Sequence, residues 1–445
     1  MKPVQILTDK NHEFLKLDVF PSENVIRSAN LEISENHIEG FGGFGVAVTE
    51  SSCYQLMLMH KKERTKFLES IYSKRGLNLS VARLSIGASD YSARVYTYDD
   101  VPFDTELKHF SIDKDKDYII PVLKEILKIR PDIYLFASPW SPPGWMKTGG
   151  EICGGYMRSE FVDCYANYFI KYIKAYADEG IKISAVTPQN EPNTQQNGYM
   201  PACIWHPEIE AEFIKALKNK LKENNLDTKI WMFDHNFADA NRVLWLLDND
   251  KKLKDSTDGI AFHYYSGSID ETFEIQEKYP DIKLNFTEGG PRLYDNYDCD
   301  FCKWGIMISK VLNGGYNSFT GWNLMLNELG GPNIGPFFCG GLATRNSVTG
   351  ELNYSGQYKA FKHIVPYIES TSKIYAITQN KKHGRTMSGY PNHSEPIYGF
   401  LIKNANQTVL VLINPDGEKR QTQINIDNTN YYIELSPESI STVII

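Results

Sequence analysis

Two glutamates in this chain of 445 residues stand where apolar, strand-like runs end. Glu191 closes the run "ISAVTPQNE", and Glu288 lies near the end of "KLNFTEGG". Cleavage of a glycosidic bond needs two carboxyl groups, because one protonates the leaving oxygen while the other, ionised, attacks the sugar or activates water. The pair therefore predicts a glycoside-cleaving site, provided that the fold brings the ends of the two runs together.

Polar and aromatic side chains also end the neighbouring strand-like runs, and their types suit a sugar. Aromatic rings stack on the C–H faces of a sugar, while amide, imidazole and hydroxyl groups bond to its hydroxyls. The candidates are Asp90, Trp140, Asn190, Asp234, His235, His263, Tyr265, Trp322 and Asn323. Other roles stay open for some of them, since Asp234 and His235 also suit a salt bridge at the rim and Tyr265 also suits core packing.

Eight strand-like runs between about Gly40 and Tyr367 must position these residues. Most are separated by amphipathic segments of helical period, such as "FVDCYANYFIKYIKAYADEG". Eight β/α units predict a closed (β/α)8 TIM barrel rather than an open, doubly wound sheet. The C-terminal ends of the strands meet at one face of such a barrel, so the polar residues converge there. Arg83, within the second run, is expected to point into the barrel top and pair with a carboxylate, either at the site or in a core ion pair.

Both ends of the chain predict an appended antiparallel β-domain. Beyond about Ile374 apolar and polar residues alternate between Asn, Gly and Asp turns, and the N-terminal "LDVFPSENVIRSANLEISE" is strand-like as well. We therefore divide the chain into N-terminal strands of the side domain (1–38), the catalytic barrel (39–372) and a C-terminal β-sandwich-like part of the side domain (373–445). Aromatic residues are few in the last segment, which favours structural support over a carbohydrate-binding module.

The composition argues against several other classes of protein. Hydrophobic residues make up 42% of the chain and charged residues 23%, and a net charge of −8 without a basic stripe argues against nucleic acid as a partner. No run is long and apolar enough to span a bilayer, and the N-terminus lacks the apolar core of a signal peptide. We therefore expect a cytoplasmic location, or secretion if an export signal has been removed.

Metal and cofactor chemistry is not expected at this site. The first barrel strand carries no H-x-H, the chain has no H-E-x-x-H, and Cys299 and Cys302 form a C-x-x-C without the second pair that a zinc site needs. The run "GFGGFG" at Gly40 has the glycines of a dinucleotide-binding turn but not their spacing. Neither a metal nor a cofactor is therefore predicted.

Seven segments of the predicted barrel resemble glycoside hydrolase family 30, among the retaining barrels of clan A. They are "GFGGFGVAVTESS", "RLSIGASDYSARVYTYDD", "ASPWSPPGWMKTGG", "AVTPQNEPN", "GIAFHYY", "NFTEGG" and "GWNLMLNELGGPN". Within the family they are most similar to the acid β-glucosidase (glucosylceramidase) branch. The β-domain built from both termini also matches the plan of this family.

The resemblance implies a role for most of the candidates. Glu191 would be the general acid/base, and Glu288 the nucleophile that Tyr265 contacts. Asn190 would bond to the sugar 2-hydroxyl. The other substrate-binding candidates are Asp90, Trp140, His263, Trp322 and Asn323. Arg83, Asp234 and His235 would support the two glutamates without touching the sugar.

The resulting prediction is a retaining, exo-acting β-glucosidase that hydrolyses a terminal β-linked glucose from a carbohydrate or glycoside. Endo-β-1,6-glucanase, β-xylosidase and β-fucosidase are alternatives on the same machinery, and a sugar-binding protein without catalysis is an alternative of another class. Retention requires the two carboxyl groups about 5–5.5 Å apart, whereas inversion requires roughly 6.5–9.5 Å. We also expect a raised pKa for Glu191, because it must carry a proton.

Overall fold

A closed barrel of eight parallel strands carries the predicted site residues. The computed structural model describes residues 2–21, 30–379 and 396–445. The barrel strands are β1 (Gly43–Ala47), β2 (Val81–Ile86), β3 (Tyr134–Pro139), β4 (Ala185–Val186), β5 (Lys229–Asn236), β6 (Gly259–His263), β7 (Lys283–Glu288) and β8 (Ser318–Gly321). Each strand pairs with the next, and β8 pairs with β1, so the ring closes. The predicted (β/α)8 barrel is confirmed.

The helices form where the sequence has helical period and suitable ends. The helix Pro207–Glu223 begins with a proline, whose missing N–H is not needed in the first turn, and it buries Phe213 and Leu217. Its first turn is acidic and its last turn carries Lys220 and Lys222, which complements the helix dipole. The α-helices of the described residues are α1 (Glu50–Met57), α2 (Lys61–Tyr72), α3 (Ile119–Ile129), α4 (Val162–Asp178), α5 (Pro207–Glu223), α6 (Ala240–Asn249), α7 (Lys251–Ser256), α8 (Phe273–Lys278), α9 (Phe301–Asn313) and α10 (Gly356–Ile364).

Short strands also form in the loops at the C-terminal ends of the barrel strands. Cys153–Tyr156, after β3, pairs with Ala202–Ile204, after β4. Met325–Asn327, after β8, pairs with Ala343–Arg345, and Leu352–Tyr354 joins the same small sheet. These pairings give the loops around the barrel mouth a defined backbone, which is what a site built on loops requires.

Strands from both ends of the chain form one nine-stranded sheet. Its order is Leu15–Asp18, Val4–Thr8, Ser439–Ile444, Thr408–Asn414, Tyr398–Lys403, Lys373–Gln379, Asn30–Ile38, Arg420–Ile426 and Thr429–Leu435. All pairs are antiparallel except the pair between Asn30–Ile38 and Arg420–Ile426. Leu410, Leu412 and Val443 belong to the apolar cluster of this sheet. The β-domain predicted from the two termini is confirmed.

By their contacts the described residues fall into two compact units. One unit holds the barrel strands and comprises Gly43–Tyr294 and Tyr316–Asn353, and the other holds the nine-stranded sheet and comprises Met1–Gly42, Asp295–Gly315 and Tyr354–Ile445. The boundaries that we set after residues 38 and 372 stay a prediction. Among the described helices, none has the length and apolar character that crossing a membrane requires.

Candidate active site

A bulge at the end of β5 turns two consecutive polar residues toward the barrel mouth. Side chains on a strand alternate between its faces, so Asp234 and His235 would otherwise point apart. The pairing of β5 with β6 shifts by one residue between Phe233 and His235, and Asp234 has a φ of 75°. Such a bulge re-aims side chains. As a result Asp234 pairs with Arg83, and the His235 ring also reaches the site.

A second irregularity acts in the same way between β6 and β7. Phe262 pairs with Phe286, but the next residue, His263, pairs with Glu288, so β7 has one extra residue. That residue is Thr287, whose hydroxyl donates to Asp234 Oδ1 at 2.7 Å. Consecutive residues of β7 therefore both reach the polar interior of the barrel mouth.

The carboxyl groups of Glu191 and Glu288 approach each other at this face of the barrel. An oxygen of each lies within 4.8 Å of the other and of a ring nitrogen of His263. Glu191 follows β4 and has a φ of 53°, in the left-handed region that non-glycine residues rarely adopt. Its N–H donates to the carbonyl oxygen of Asp234 at 3.0 Å, which holds this conformation. A closest approach of this size fits the separation of about 5–5.5 Å between carboxyl groups that retention requires.

Glu288 is held by one hydroxyl and one guanidinium. The Tyr265 hydroxyl donates to Oε1 at 3.0 Å, and Arg83 donates from Nη1 to Oε2. The other terminal nitrogen of Arg83 donates to Asn190 Oδ1 at 2.8 Å, so the Nδ2 hydrogens of Asn190 are left for another acceptor. Only 6% of Glu288 is exposed, so these contacts fix its carboxylate toward the cavity.

Beneath the two glutamates lies Asp234, a fully buried carboxylate with a complete set of donors. Arg83, His263 and three hydroxyl groups surround it, those of Ser138, Thr187 and Thr287. Burial raises the pKa of Asp234, but the charge of Arg83 and the hydrogen bond and charge of His263 lower it more. The residue therefore stays ionised and balances the buried guanidinium.

Three side chains surround the carboxyl group of Glu191. Gln196 donates from Nε2 to Oε2, while His235 Nε2 and His263 Nδ1 each lie 3.5 Å from Oε1. Burial raises the pKa of Glu191, but the two imidazoles lower it more strongly and bring it well below its usual range. The raised pKa that we expected from the sequence is therefore wrong for the free protein.

The neighbouring ring of His263 carries a proton at neutral pH. Burial lowers the pKa of His263, but the charge of Glu288, the hydrogen bonds to Asp234 and Glu191 and the charge of Asp234 raise it to about 9. Groups that interact this strongly titrate as a pair rather than singly. The His263–Glu191 pair therefore holds one proton at neutral pH, on the side of the site where a leaving oxygen would be protonated.

The raised pKa of His263 makes a prediction for stability against pH. The pKa of His263 in the folded protein, about 9, exceeds the ordinary value of 6.5, so protonation of His263 stabilises the folded state. This stabilisation is fully present below pH 6.5 and is lost as the pH rises through 9. We expect the free energy of unfolding to fall across this window by on the order of a few kcal/mol. Urea unfolding of the wild type and of His263→Gln at several pH values gives the slope of the unfolding free energy against pH for each protein, and the two slopes are compared.

The control for this experiment is His206→Gln, which changes a histidine on the protein surface. It should retain the wild-type slope, whereas His263→Gln should lose most of it. Equal slopes in the wild type and in His263→Gln would contradict the assignment of the proton to His263.

The two glutamates open into a cavity of about 330 Å³. Trp140 and Trp322 stack beside it, with ring centroids 5.2 Å apart. Asp90 lies on the same side, is 5% exposed, and has no hydrogen-bond partner for Oδ1 among the described residues. Burial and the charges of Glu288 and Glu191 raise the pKa of Asp90. A buried, unpaired carboxyl oxygen costs free energy, and a sugar hydroxyl is the kind of group that would satisfy it.

The loop after β8 is pinned against the residues that follow β2. The Ile334 N–H donates to the carbonyl oxygen of Asp90 at 2.8 Å, and the Tyr91 hydroxyl donates to the carbonyl oxygen of Phe337 at 2.9 Å. A Cβ added at Gly335 would lie 2.8 Å from the Cβ of Asp90, so only glycine permits this approach. These contacts hold the loop after β8 against the Asp90 side of the cavity, where Phe337 and Phe338 line it.

Most residues that the sequence singled out line this cavity. They are Asp90, Trp140, Asn190, Glu191, His235, Tyr265, Glu288 and Trp322. His263 and Asn323, expected to touch substrate, are fully buried behind the cavity surface instead, and Asn323 accepts a hydrogen bond from Thr49. His235 was expected only to support the glutamates, but it lines the cavity because the bulge in β5 turns its ring toward the barrel interior.

Several lining residues were not anticipated from the sequence. They include Gln196, Arg292, Tyr294, Phe337 and Phe338. All lie outside the barrel strands and α-helices, Gln196 at the start of a short 3-10 helix, where no periodic pattern in the sequence indicates the direction of a side chain. Gln196 lies five residues after Glu191, and this proximity in the chain was the one available signal.

Glu191, His263 and Glu288 are also spaced as metal ligands could be, with one atom each within 4.8 Å of the others. Their other contacts favour proton transfer over metal binding. The Arg83 guanidinium donates to Glu288, and its positive charge opposes a second cation there. His263 is itself positively charged at neutral pH, because its pKa is raised to about 9.

The sequence matches a family model and resembles known proteins. The sequence model of the glycosyl hydrolase family 30 TIM-barrel domain matches residues 41–379. The chain is 34% identical over 340 residues to putative glucosylceramidase 3 of Caenorhabditis elegans, covering 70% of this chain and 63% of that protein. It is 31% identical over 325 residues to lysosomal acid glucosylceramidase of Mus musculus, covering 67% of this chain and 62% of that protein.

A solved structure extends the likeness to the full chain. An endo-β-1,6-glucanase matches with a TM-score of 0.84 and 28% identity, covering 100% of this chain and 98% of that one. The chain thus spans less than two thirds of the length of the two glucosylceramidases and nearly all of the glucanase.

Proposed function

Since the chain belongs to glycosyl hydrolase family 30, we propose that it is a retaining β-glycosidase that removes a terminal β-linked glucose. The observation that carries this proposal is the approach of the Glu191 and Glu288 carboxyl oxygens to within 4.8 Å at the mouth of the barrel. A direct attack on the sugar requires such a short spacing, whereas an inverting enzyme must leave room for a water molecule.

In the first step Glu288 attacks the anomeric carbon, and the bond to the leaving oxygen breaks. Glu191 gives that oxygen its proton, supplied by the pair that it forms with His263, and a glycosyl ester forms on Glu288. The hydrogen bonds from Tyr265 and Arg83 hold the carboxyl group of Glu288 in place and aim it at the sugar before the attack.

In the second step Glu191 acts as a base. It takes a proton from water, and the resulting hydroxide attacks the anomeric carbon and releases Glu288. Two displacements on the same carbon return the original β configuration. Glu191 can do this because it has given up its proton in the first step, and an ionised carboxylate is what activates water.

The closed end of the cavity supports exo action. The loop after β8 is hydrogen-bonded to Asp90 and Tyr91, and a polymer that continued past the bound sugar would have to displace it. The unpaired oxygen of Asp90 and the indoles of Trp140 and Trp322 lie at this end and would hold the outer hydroxyls of one sugar. A terminal residue with free hydroxyls therefore fits better than the middle of a chain.

Endo-β-1,6-glucanase action is the second candidate. The solved endo-β-1,6-glucanase covers the whole chain, with a TM-score of 0.84. In a β-1,6-linked chain the next glucose is attached at the 6-position of the bound glucose. The other hydroxyls of the bound glucose can therefore contact Asp90 in both exo and endo action. The products decide between the two modes.

The test is a panel of 4-nitrophenyl β-glycosides (glucoside, xyloside, fucoside and galactoside) run beside β-1,6-linked glucose oligosaccharides. We expect the glucoside to be cleaved fastest and the oligosaccharides to release glucose one unit at a time, with the β anomer as first product by NMR. Oligomeric products without glucose would favour endo action, and an α anomer as first product would overturn retention. Preference for the xyloside or fucoside would move the specificity to those sugars.

A further inference from the structure

Arg292 lines the catalytic cavity and has no carboxylate to pair with. It lies four residues after Glu288, is partly buried, and is the one arginine or lysine among the described residues that line the cavity. No carboxylate of the described residues lies within ion-pair distance of its guanidinium, which instead lies over the ring faces of Tyr265 and Tyr294 at 5.7 and 5.9 Å.

This arrangement differs from that of other arginines in the chain. Among the described residues, seven other arginines are partly or fully buried, and all but Arg345 pair with an aspartate or glutamate. The six that pair are Arg64, Arg83, Arg130, Arg158, Arg242 and Arg420. A guanidinium that loses water without gaining an anion pays a desolvation cost, which contact with two aromatic rings offsets only in part. An anion in the cavity would complete the set of contacts.

The position of Arg292 places that anion across the cavity from Asp90 and Trp140. Asp90 and Trp140 follow β2 and β3, whereas Tyr265 and Arg292 follow β6 and β7, which are opposite them in a ring of eight strands. If the glycone binds against Asp90 and Trp140, the opposite wall of the cavity, with Arg292, is left for the group attached to the glycone. The backbone there is fixed, because Arg292 forms an isolated antiparallel β-bridge with Cys339 and the Leu293 N–H donates to the carbonyl oxygen of Phe338.

We propose that Arg292 binds an anionic group, a carboxylate, sulfate or phosphate, on the aglycone of the substrate, a proposal that rests on the glucosidase function above. Asp90, Glu191 and Glu288 line the same cavity, and the chain has a net charge of −8, so an anionic aglycone would otherwise be repelled. The guanidinium offers two parallel N–H groups, the geometry that these anions accept.

The test compares two aryl β-glucosides that differ only in charge. The leaving groups are 7-hydroxycoumarin-4-acetic acid and its neutral acetamide, in which the substituent is separated from the phenol oxygen and changes its acidity little. We expect wild-type kcat/KM to favour the acid by about tenfold at low salt and the preference to shrink in 0.5 M salt, since Arg292 is partly exposed. In Arg292→Gln the ratio should fall to about one, and Arg292→Lys should retain part of it.

Arg158→Gln is the matched control, because Arg158 also lies over an aromatic ring but lines a different pocket. It should keep the wild-type ratio. An equal loss of kcat/KM on both substrates in Arg292→Gln would overturn the proposal and make Arg292 a support for Tyr265. A wild-type ratio of kcat/KM near one would also overturn the proposal. Binding of the two free coumarins, followed by fluorescence anisotropy, needs no turnover. If neither glucoside is cleaved, the glucosidase function fails, and tighter binding of the acid that Arg292→Gln abolishes would still support the anion site.

Discussion

Replacing Glu288 by glutamine is expected to lower kcat on aryl β-glucosides by about 10⁴- to 10⁶-fold. The amide has the shape of the carboxyl group, and its oxygen can still accept from Arg83 while its NH2 group donates to the Tyr265 oxygen. The change therefore removes the attacking charge and reverses one hydrogen bond. Because every later event depends on the ester at Glu288, the loss should be as large for good leaving groups as for poor ones. Steady-state kinetics with 4-nitrophenyl and 2,4-dinitrophenyl glucosides measures it.

Two observations guard this result against trivial explanations. Glu274→Gln, on the exposed side of α8, should keep wild-type kcat, and the thermal transition of Glu288→Gln should be cooperative. A glucosyl donor with fluorine at carbon 2 slows the second step and should add its sugar mass to the wild type but not to the variant. Residual activity of Glu288→Gln within tenfold of wild type would show that another group is the nucleophile.

The barrel and the pair of glutamates were predictable because their signals are local and repeat along the chain. Each strand of the barrel is buried, so apolar runs stand out from the amphipathic helices between them, and the ring of eight fixes where their ends meet. Glu191 and Glu288 needed only their positions at the ends of β4 and β7, which the eight runs supply.

The depth of individual side chains was not predictable in the same way. A regular alternation cannot place both Asp234 and His235 toward the interior, and the bulge in β5 that does so has no marker in the sequence. His263 and Asn323 end their strands like residues that line the cavity, but their rings and amides are turned into the protein. Arg292 lies in a loop whose course depends on a bridge to Cys339, far along the chain.

The pKa of Glu191 shows most clearly what a sequence omits. Burial and a nearby Glu288 predict a raised pKa, and both are present. The two imidazoles that reverse the direction come from β5 and β6, and their distance from Glu191 depends on the bulge in β5 and on the bulge in β7 beside His263. The acid role therefore depends on a proton shared with His263, and removal of Glu191 tests that role most directly.

Replacing Glu191 by alanine should separate substrates by their leaving groups. For glucosides with alkyl or sugar leaving groups, kcat/KM should fall by about 10²- to 10⁴-fold, because the leaving oxygen no longer receives a proton. For 2,4-dinitrophenyl glucoside, which needs no acid, the first step should be nearly unchanged. The second step should then limit the rate, since no base activates water, and a burst of dinitrophenol should appear. Rapid-mixing kinetics over the series gives both quantities.

Azide makes the same variant informative about the second role of Glu191. A small anionic nucleophile needs no base and can enter the space that the carboxylate leaves, so 0.5–1 M azide should raise turnover of the dinitrophenyl substrate and yield β-glucosyl azide. Azide should do little for the wild type, in which the Glu191 carboxylate occupies that space and repels the anion.

The alkaline limb of the wild-type pH profile, set by the proton shared with His263, should also disappear in Glu191→Ala for the dinitrophenyl substrate. An equal loss of kcat/KM for all leaving groups, without rescue by azide, would show that Glu191 only positions the substrate. His235 and His263 would then be the candidates for the general acid.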